Sequence, residues 1–172
     1  MAVRLSFASD RNPQLRSSDR QKALLGKRVL VVDDSTSQRH KLAEMYRSIG
    51  LEIAGEAANG LECLALAEKL KPDIISLDVI MPIMHGVEAL GYLREKKSKA
   101  VIIYVSALGG VESLAEVRSP GGHLPDAIFS KKDGRETFVD VLTAVLMGEA
   151  EPIAIQSVES EEGVSATSDR VG

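Results

Sequence analysis

The sequence has a single cysteine, Cys63, and this scarcity limits how the chain can be cross-linked and which metals it can hold. One thiol cannot form an internal disulfide bond. No cysteine or histidine stands at the spacing of a zinc site, because His40, His85 and His123 are scattered along the chain. The composition therefore excludes a disulfide framework or a zinc module and predicts a reducing, intracellular setting.

Long apolar runs are also absent. Nowhere do about 18 apolar residues follow one another without interruption, which is the length that a membrane-spanning helix requires. Residues 1–26 lack the apolar stretch of a secretory signal. We therefore expect no membrane insertion and a cytoplasmic location.

The middle of the chain lacks an excess of either charge. The net charge is −4, but residues 1–26 hold five basic and two acidic side chains, whereas residues 149–172 hold six acidic side chains and one basic. Residues 27–148 consequently carry a net charge of −2, which gives no electrostatic footprint for nucleic acid. We therefore expect no nucleic-acid partner.

The two ends of the chain differ from the middle in composition. Serine, asparagine, glutamine and charged residues dominate both ends, without a sustained apolar period. The length of 172 residues and the hydrophobic content of 44% suit one well-buried domain. We predict a disordered or partner-binding N-terminal tail at 1–26, one domain at 27–148, and an acidic, disordered C-terminal tail at 149–172.

Two kinds of apolar pattern alternate five times within residues 27–148. Short aliphatic runs predict buried strands, at 28–33, 52–57, 73–78, 101–106 and 127–130. Apolar residues at helical spacing predict helices, at 36–49, 60–70, 86–97, 110–118 and 135–147. Local signals agree, since Ser35 and Gln38 form a capping-box pair and Gly50 follows the first helix. The alternation predicts an α/β fold, in which helices cover both faces of a doubly wound parallel sheet.

Polar side chains stand where three of these strands end. Asp33 and Asp34 follow the first strand, Asp78 ends the third, and the hydroxyl of Ser106 ends the fourth. Ligands bind outside the carboxyl ends of the strands in an open α/β sheet, so we expect these side chains to converge on one rim. Clustered carboxylates repel one another unless a cation neutralises them, and oxygen ligands favour a hard ion such as Mg²⁺. The spacing predicts a metal-assisted phosphate site.

Each of these residues also has a simpler interpretation. An Asp-Asp pair after a strand often only caps the next helix, and a serine or lysine after a strand is often a turn residue or a solvated end. The joint order and spacing favour the functional interpretation. Asp78 is the candidate nucleophile, because it ends the central strand, where one carboxylate oxygen can face both a metal ion and a phosphate.

The same residues carry a family resemblance. They are Asp33-Asp34, the stretch DVIMPIMHG from Asp78 to Gly86, Ser106-Ala107, and a lysine after the last strand. Over residues 27–148 this ordered set resembles the receiver domain of two-component response regulators. The resemblance implies the flavodoxin-like fold, a five-stranded parallel sheet with strand order 2-1-3-4-5.

The resemblance also implies roles for individual residues. Asp78 would accept a phosphoryl group, and Lys131 and Ser106 would contact its oxygens. Mg²⁺ would be held, directly or through water, by Asp33, Asp34, Asp78 and the backbone carbonyl of Ile80.

Two lysines follow the last strand, and receivers usually carry a proline in the place of Lys132. We assign the phosphate contact to Lys131, because residues 127–130 then form the strand that ends at it. This register puts Ile128 at a position that is usually aromatic. The alternative register puts Phe129 there and makes Lys132 the phosphate partner.

Two further departures from the family pattern predict properties of this chain. Glycines and prolines make residues 119–125 irregular, which predicts an altered partner surface. Ile80 and Leu108 stand two residues after Asp78 and Ser106, so they would place apolar side chains around the phosphoryl group. A long-lived phosphorylated state is the hypothesis that follows.

The function implied by the resemblance is that of a single-domain response regulator. It would receive its phosphoryl group from a sensor histidine kinase or a phosphotransfer protein and change its affinity for a downstream protein target, with chemotaxis as the favoured setting. Such a protein catalyses only its own phosphorylation and dephosphorylation, so we do not expect an enzyme. A phosphorelay intermediate and a phosphorylation-independent scaffold stay open. An aspartyl-phosphate hydrolase is disfavoured, because the first strand is not followed by Asp-x-Asp.

Overall fold

The computed structural model describes residues 17–107, 118–132 and 134–148. Its centre is one sheet of five parallel strands in the order β2-β1-β3-β4-β5. The strands are β1 (Arg28–Val32), β2 (Glu52–Ala57), β3 (Ile74–Leu77), β4 (Val101–Ser106) and β5 (Ala127–Ser130). The flavodoxin-like fold and its strand order are thereby confirmed.

Five helices lie within the described residues. They are α1 (Ser17–Leu24), α2 (Thr36–Ser48), α3 (Gly60–Leu70), α4 (Gly86–Glu95) and α5 (Arg135–Leu146). Four of them match predicted helices to within two residues at each end. The helix expected at 110–118 falls, except for its last residue, outside the described residues.

Helix α1 differs from the prediction of a tail at 1–26. Leu24 at the end of this helix is 1% exposed and belongs to the core, and Arg20 forms an ion pair with Asp140 of α5. The packed domain in the structure therefore starts before residue 27. The sequence pattern missed the helix because Leu24 is the one buried residue among residues 18–24, so no apolar period marks it. Residues 1–16 and 149–172 lie outside the described residues.

The hydrophobic core has two halves, one on each face of the sheet. One half packs β-strand side chains against α1, α2 and α5, through residues such as Leu24, Tyr46 and Phe138. The other packs them against α3 and α4, through residues such as Cys63 and Leu90. Burial on both faces explains why β1, β3 and β4 contain nearly continuous aliphatic runs.

Two helices begin at side chains that cap them. Ser35 Oγ accepts a hydrogen bond from the Gln38 amide at 3.4 Å, and Asn59 Oδ1 accepts one from the Glu62 amide at 3.0 Å. Both caps satisfy backbone groups that the first helical turn leaves free. The cap at Ser35 fixes the start of α2 directly after Asp33 and Asp34. None of the helices in the described residues has the length and apolar character needed to cross a membrane.

Candidate functional site

The ends of β1 and β3 bring the acidic residues together. Val32 and Leu77 are register partners, and the Asp78 amide donates to the Val32 carbonyl at 2.9 Å, so Asp33 and Asp78 emerge side by side. A carboxylate oxygen of each of Asp33, Asp34 and Asp78 lies within 4.8 Å of the others. The carboxylates that the sequence places at separate strand ends are therefore one cluster in space.

Burial differs strongly among the three carboxylates. Asp33 is buried, Asp78 is partly buried and Asp34 is exposed. Asp33 is also held in place, because its Oδ1 accepts from the Ser35 amide at 2.9 Å and its Oδ2 accepts from the Lys131 ammonium. One face of the cluster is thus fixed to the protein, while Asp34 leaves the other open to a ligand.

The donor set fits a hard divalent cation. Three carboxylates converge, and oxygen ligands at this separation suit Mg²⁺, which retains several waters and takes only a few protein ligands. The exposed side of the cluster leaves room for such waters. Asp33, Asp34 and Asp78 are the side chains that could hold the ion.

Lys131 is the lysine that reaches the cluster. Its ammonium contacts Asp33 and lies 3.5 Å from Asp78 Oδ2, and its side chain is only 11% exposed. The strand pairing explains this placement, since Ser106 and Ser130 are register partners and the Lys131 amide donates to the Ser106 carbonyl at 2.8 Å. Lys132 is exposed. Of the two registers open to the sequence, the structure shows the one in which the strand ends at Ser130.

The pKa of the Asp78 carboxyl is raised above its ordinary value. Partial burial is the largest cause, the nearby Lys131 ammonium opposes it, and the Asp33 carboxylate adds to the rise. The charged form of Asp78 is therefore costly in the absence of a further cation. A divalent ion at the cluster would favour the carboxylate, which is the nucleophilic form.

The loop after Asp78 is shaped by one glycine. A Cβ atom on Gly86 would lie 2.1 Å from the Asp78 carbonyl oxygen, so no other residue fits there without a shift of the backbone. The Gly86 amide donates to the Val79 carbonyl at 2.9 Å, which closes the loop tightly onto the end of β3. Met81 is 2% exposed, and its burial in the core fixes the loop in place. Asp78 is thereby held at the start of a short loop whose shape is fixed.

The remaining predicted residues differ in their burial and in whether the structure describes them. Ser106 is 8% exposed at the end of β4, on the strand that neighbours β3. Ile80, two residues after Asp78, is 62% exposed and lies outside the core. Leu108, the second apolar residue expected at the phosphate, lies outside the described residues. Residues 119–125 are indeed irregular, with a tight turn in which the Gly122 amide donates to the Ser119 carbonyl at 2.8 Å.

Sequence reasoning missed one residue at this site, Arg39. Its guanidinium donates to the backbone carbonyl of Asp33 at 2.7 Å and to that of Asp34 at 3.4 Å. A basic residue in the first turn and a half of a helix that follows an acidic pair is the signal that could have identified it. Charge alone would have suggested a solvated surface residue instead.

Comparison with known proteins agrees with the geometry. The model of the response regulator receiver domain matches residues 29–136. The chain is 34% identical to a chemotaxis protein CheY of Halobacterium salinarum over 122 residues, which cover 70% of this chain and all of that protein. It is 39% identical to the chemotaxis protein CheY of Thermotoga maritima over 97 residues, covering 56% of this chain and 81% of that one.

A solved structure shows the same likeness in three dimensions. The crystal structure of a complex of CheX, CheY, BeF3 and Mg²⁺ from Borrelia burgdorferi matches with a TM-score of 0.60 and 27% sequence identity. The match covers 70% of this chain and 90% of that chain.

Proposed function

Because this chain belongs to the response regulator receiver family of two-component signalling, we propose that it accepts a phosphoryl group on Asp78, with Mg²⁺ at the acidic cluster. The donor would be a phosphohistidine on a sensor kinase or on a phosphotransfer protein. The observation that carries the proposal is the convergence of three carboxylates within 4.8 Å, with the Lys131 ammonium against two of them. A helix cap alone would bring neither Asp78 nor Lys131 to Asp33.

The chemistry is an in-line displacement at phosphorus. A carboxylate oxygen of Asp78 forms the new bond, the bond from phosphorus to the donor's imidazole nitrogen breaks, and the imidazole keeps the electron pair. The tight turn closed by Gly86 holds Asp78 in one orientation for this attack. Mg²⁺, when bound by Asp33, Asp34, Asp78 and the Ile80 carbonyl, would supply the positive charge that offsets carboxylate and phosphoryl oxygens.

Lys131 and Ser106 would recognise the phosphorylated state. The Lys131 ammonium lies 3.5 Å from Asp78 Oδ2, so a phosphoryl group on Asp78 would come within its reach. Ser106 ends the neighbouring strand, and its hydroxyl would donate to another phosphoryl oxygen. Movement of β4 toward the phosphoryl group would then change the adjoining surface and its affinity for a partner.

The output would be a protein–protein interaction in chemotaxis. Two relatives are named chemotaxis protein CheY, and a structural neighbour is a CheY in complex with CheX. The irregular segment 119–125 would give this chain a partner surface of its own. Deleting or regularising that segment should change partner choice and leave phosphorylation intact, and loss of phosphorylation would count against this assignment.

Beryllofluoride with Mg²⁺ tests the central proposal, since it forms a stable mimic of the acyl phosphate. Wild-type protein should show shifted backbone NMR resonances around β4 and β5, and Asp78→Asn should abolish the shifts. Asp73→Asn is the matched control, because Asp73 lies before the other end of β3 and is exposed. If wild-type protein shows no response, or if Asp78→Asn responds fully, the proposal is wrong and a phosphorylation-independent scaffold is favoured.

A labelled phosphodonor tests the expected lifetime of the phosphorylated state. The exposed Ile80 side chain offers no polar group that could orient an attacking water molecule. Ile80→Asn should therefore shorten the half-life of phosphorylated Asp78. Rapid phosphate loss from the wild-type protein, unchanged by this substitution, would refute the hypothesis.

A further inference from the structure

Arg39 holds the backbone that carries two of the three clustered carboxylates. Its Nη1 donates to the carbonyl oxygens of Asp33 and Asp34, at 2.7 and 3.4 Å, and its Nη2 donates to Thr36 Oγ1 at 3.1 Å. The side chain is only 14% exposed. A surface arginine without a structural role would remain extended into water.

A second strand keeps the guanidinium in this position. Arg39 Nε lies 3.4 Å from Glu56 Oε2, and Glu56 pairs with Val31 of β1 in the sheet. The guanidinium thus connects three elements, namely the loop after β1, the first turns of α2 and the end of β2. Its planar fork of donors suits this task, because one group can bind two carbonyls and a carboxylate at once.

We propose that Arg39 is a positioning residue for the metal site, which sets the Mg²⁺ affinity by fixing the backbone of Asp33 and Asp34. The inference rests on the proposed function, because it assumes that the cluster binds Mg²⁺. Arg39 itself carries a positive charge and would not be a ligand. It acts through the two aspartates, whose carboxylates must keep their mutual spacing to share one ion.

The sign of the effect separates this role from simple electrostatics. Removing a positive charge next to an acidic cluster should strengthen cation binding, if charge is all that matters. Loss of positioning should instead weaken binding, as the loss of partners that orient metal ligands does, by about 10-fold or more. The two explanations therefore predict opposite shifts for the same substitution.

The test is a titration of the full chain with MgCl₂ at constant ionic strength, followed by the backbone amide resonances. Arg39→Gln removes the charge and most of the fork, and we expect the Mg²⁺ Kd to rise about 10-fold. Arg39→Lys keeps the charge and loses the fork, so the Kd should rise by a similar factor. Glu56→Gln keeps the Arg39 side chain but removes its ion-pair partner, so the Kd should rise a few fold.

Arg47→Gln is the matched control. Arg47 is an exposed arginine on the same helix, so the substitution makes the same charge change away from the cluster. Its Kd should be unchanged or slightly lower. Urea unfolding of each variant checks that the fold persists at the titration temperature, and Arg39→Lys, which keeps the charge, carries the test if Arg39→Gln does not fold.

Four outcomes would overturn the inference. Tighter Mg²⁺ binding by Arg39→Gln would show that charge dominates, and wild-type affinity in Arg39→Lys would show that the fork is dispensable. Absence of Mg²⁺ binding to the wild-type protein would remove the proposed function together with this inference. If the wild-type protein binds Mg²⁺ and the Arg39 variants bind it with the same Kd, this inference fails and the proposed function stands.

Discussion

The two faces of the sheet are both covered by helices, but they bury a polar side chain in different ways. We call the half-core under α1, α2 and α5 the α2–α5 face, and the half-core under α3 and α4 the α3–α4 face. Each face buries one tyrosine completely, Tyr46 on the first and Tyr104 on the second. Burial raises the pKa of both phenols above the ordinary value, so both hydroxyls stay protonated even in alkaline solution.

The two hydroxyls have different surroundings. Tyr46 forms a 2.6 Å hydrogen bond with Ser76 Oγ on β3, two residues before Asp78. Tyr104 has no hydrogen-bond partner for its hydroxyl within the described part of the chain. On the α2–α5 face the Phe138 ring also packs against two others, tilted against Tyr46 and edge-to-face with Phe129, with ring centroids 5.0 and 4.8 Å apart. Specific contacts thus fix the α2–α5 face, whereas among the described residues only apolar burial holds Tyr104.

Removing the central ring of the α2–α5 face should have the largest effect on stability. Phe138→Ala deletes a fully buried side chain that contacts two aromatic rings, and we expect a loss of about 3–5 kcal/mol in the free energy of unfolding. Leu90→Ala on the α3–α4 face is the matched truncation and should cost less, because no ring pair is lost. Urea denaturation measures both, and equal losses would contradict the asymmetry between the faces.

The hydrogen bond between Tyr46 and Ser76 should give the next largest effect. Tyr46→Phe leaves the Ser76 hydroxyl buried and unpaired, which should cost about 1–3 kcal/mol. Adding Ser76→Ala to this variant removes the unpaired group and should recover part of the loss. If the double variant loses more unfolding free energy than the sum of the losses in the two single variants, the hydrogen bond is not the cause of the Tyr46→Phe effect.

A substitution in the acidic cluster, at the rim between the two faces, should raise the stability of the protein and not lower it. The folded-state pKa of Asp78 lies above its ordinary value, so Asp78 lowers stability progressively as the pH rises from that ordinary range through the folded-state pKa. Asp78→Asn should therefore be more stable than the wild-type protein at neutral pH, with the difference vanishing in acid. We expect a smaller change than either core substitution, because water still reaches the rim. Urea titrations across the acidic pH range test this, and a variant that is less stable at neutral pH would contradict it.

The sequence was sufficient to predict the sheet but not the fine structure of its rim. Buried aliphatic runs define β1, β3 and β4, and acids at strand ends define the cluster, because both patterns are local in sequence. The choice between Lys131 and Lys132 depended on a register of one residue, which only the pairing of β5 with β4 could decide.

Two features depend on contacts between distant parts of the chain. Helix α1 is joined to α5 through Leu24 and the ion pair of Arg20, and neither produces an apolar period. Arg39 reads as a surface residue until its guanidinium is seen between β1 and β2. Tertiary packing, not local propensity, determines both.

The smallest effect should come from Tyr104, and its sign is what matters. Tyr104→Phe removes a buried hydroxyl that has no partner in the described residues, so stability should be unchanged or rise by up to about 1 kcal/mol, opposite to Tyr46→Phe. Urea denaturation of both phenylalanine variants makes the comparison directly, since each substitution deletes the same single oxygen. A loss for Tyr104→Phe as large as that for Tyr46→Phe would mean that its hydroxyl bonds to part of the chain outside the described residues. The two faces would then differ in which part of the chain supplies the hydrogen-bond partner of the buried tyrosine, and not in whether that tyrosine has a partner.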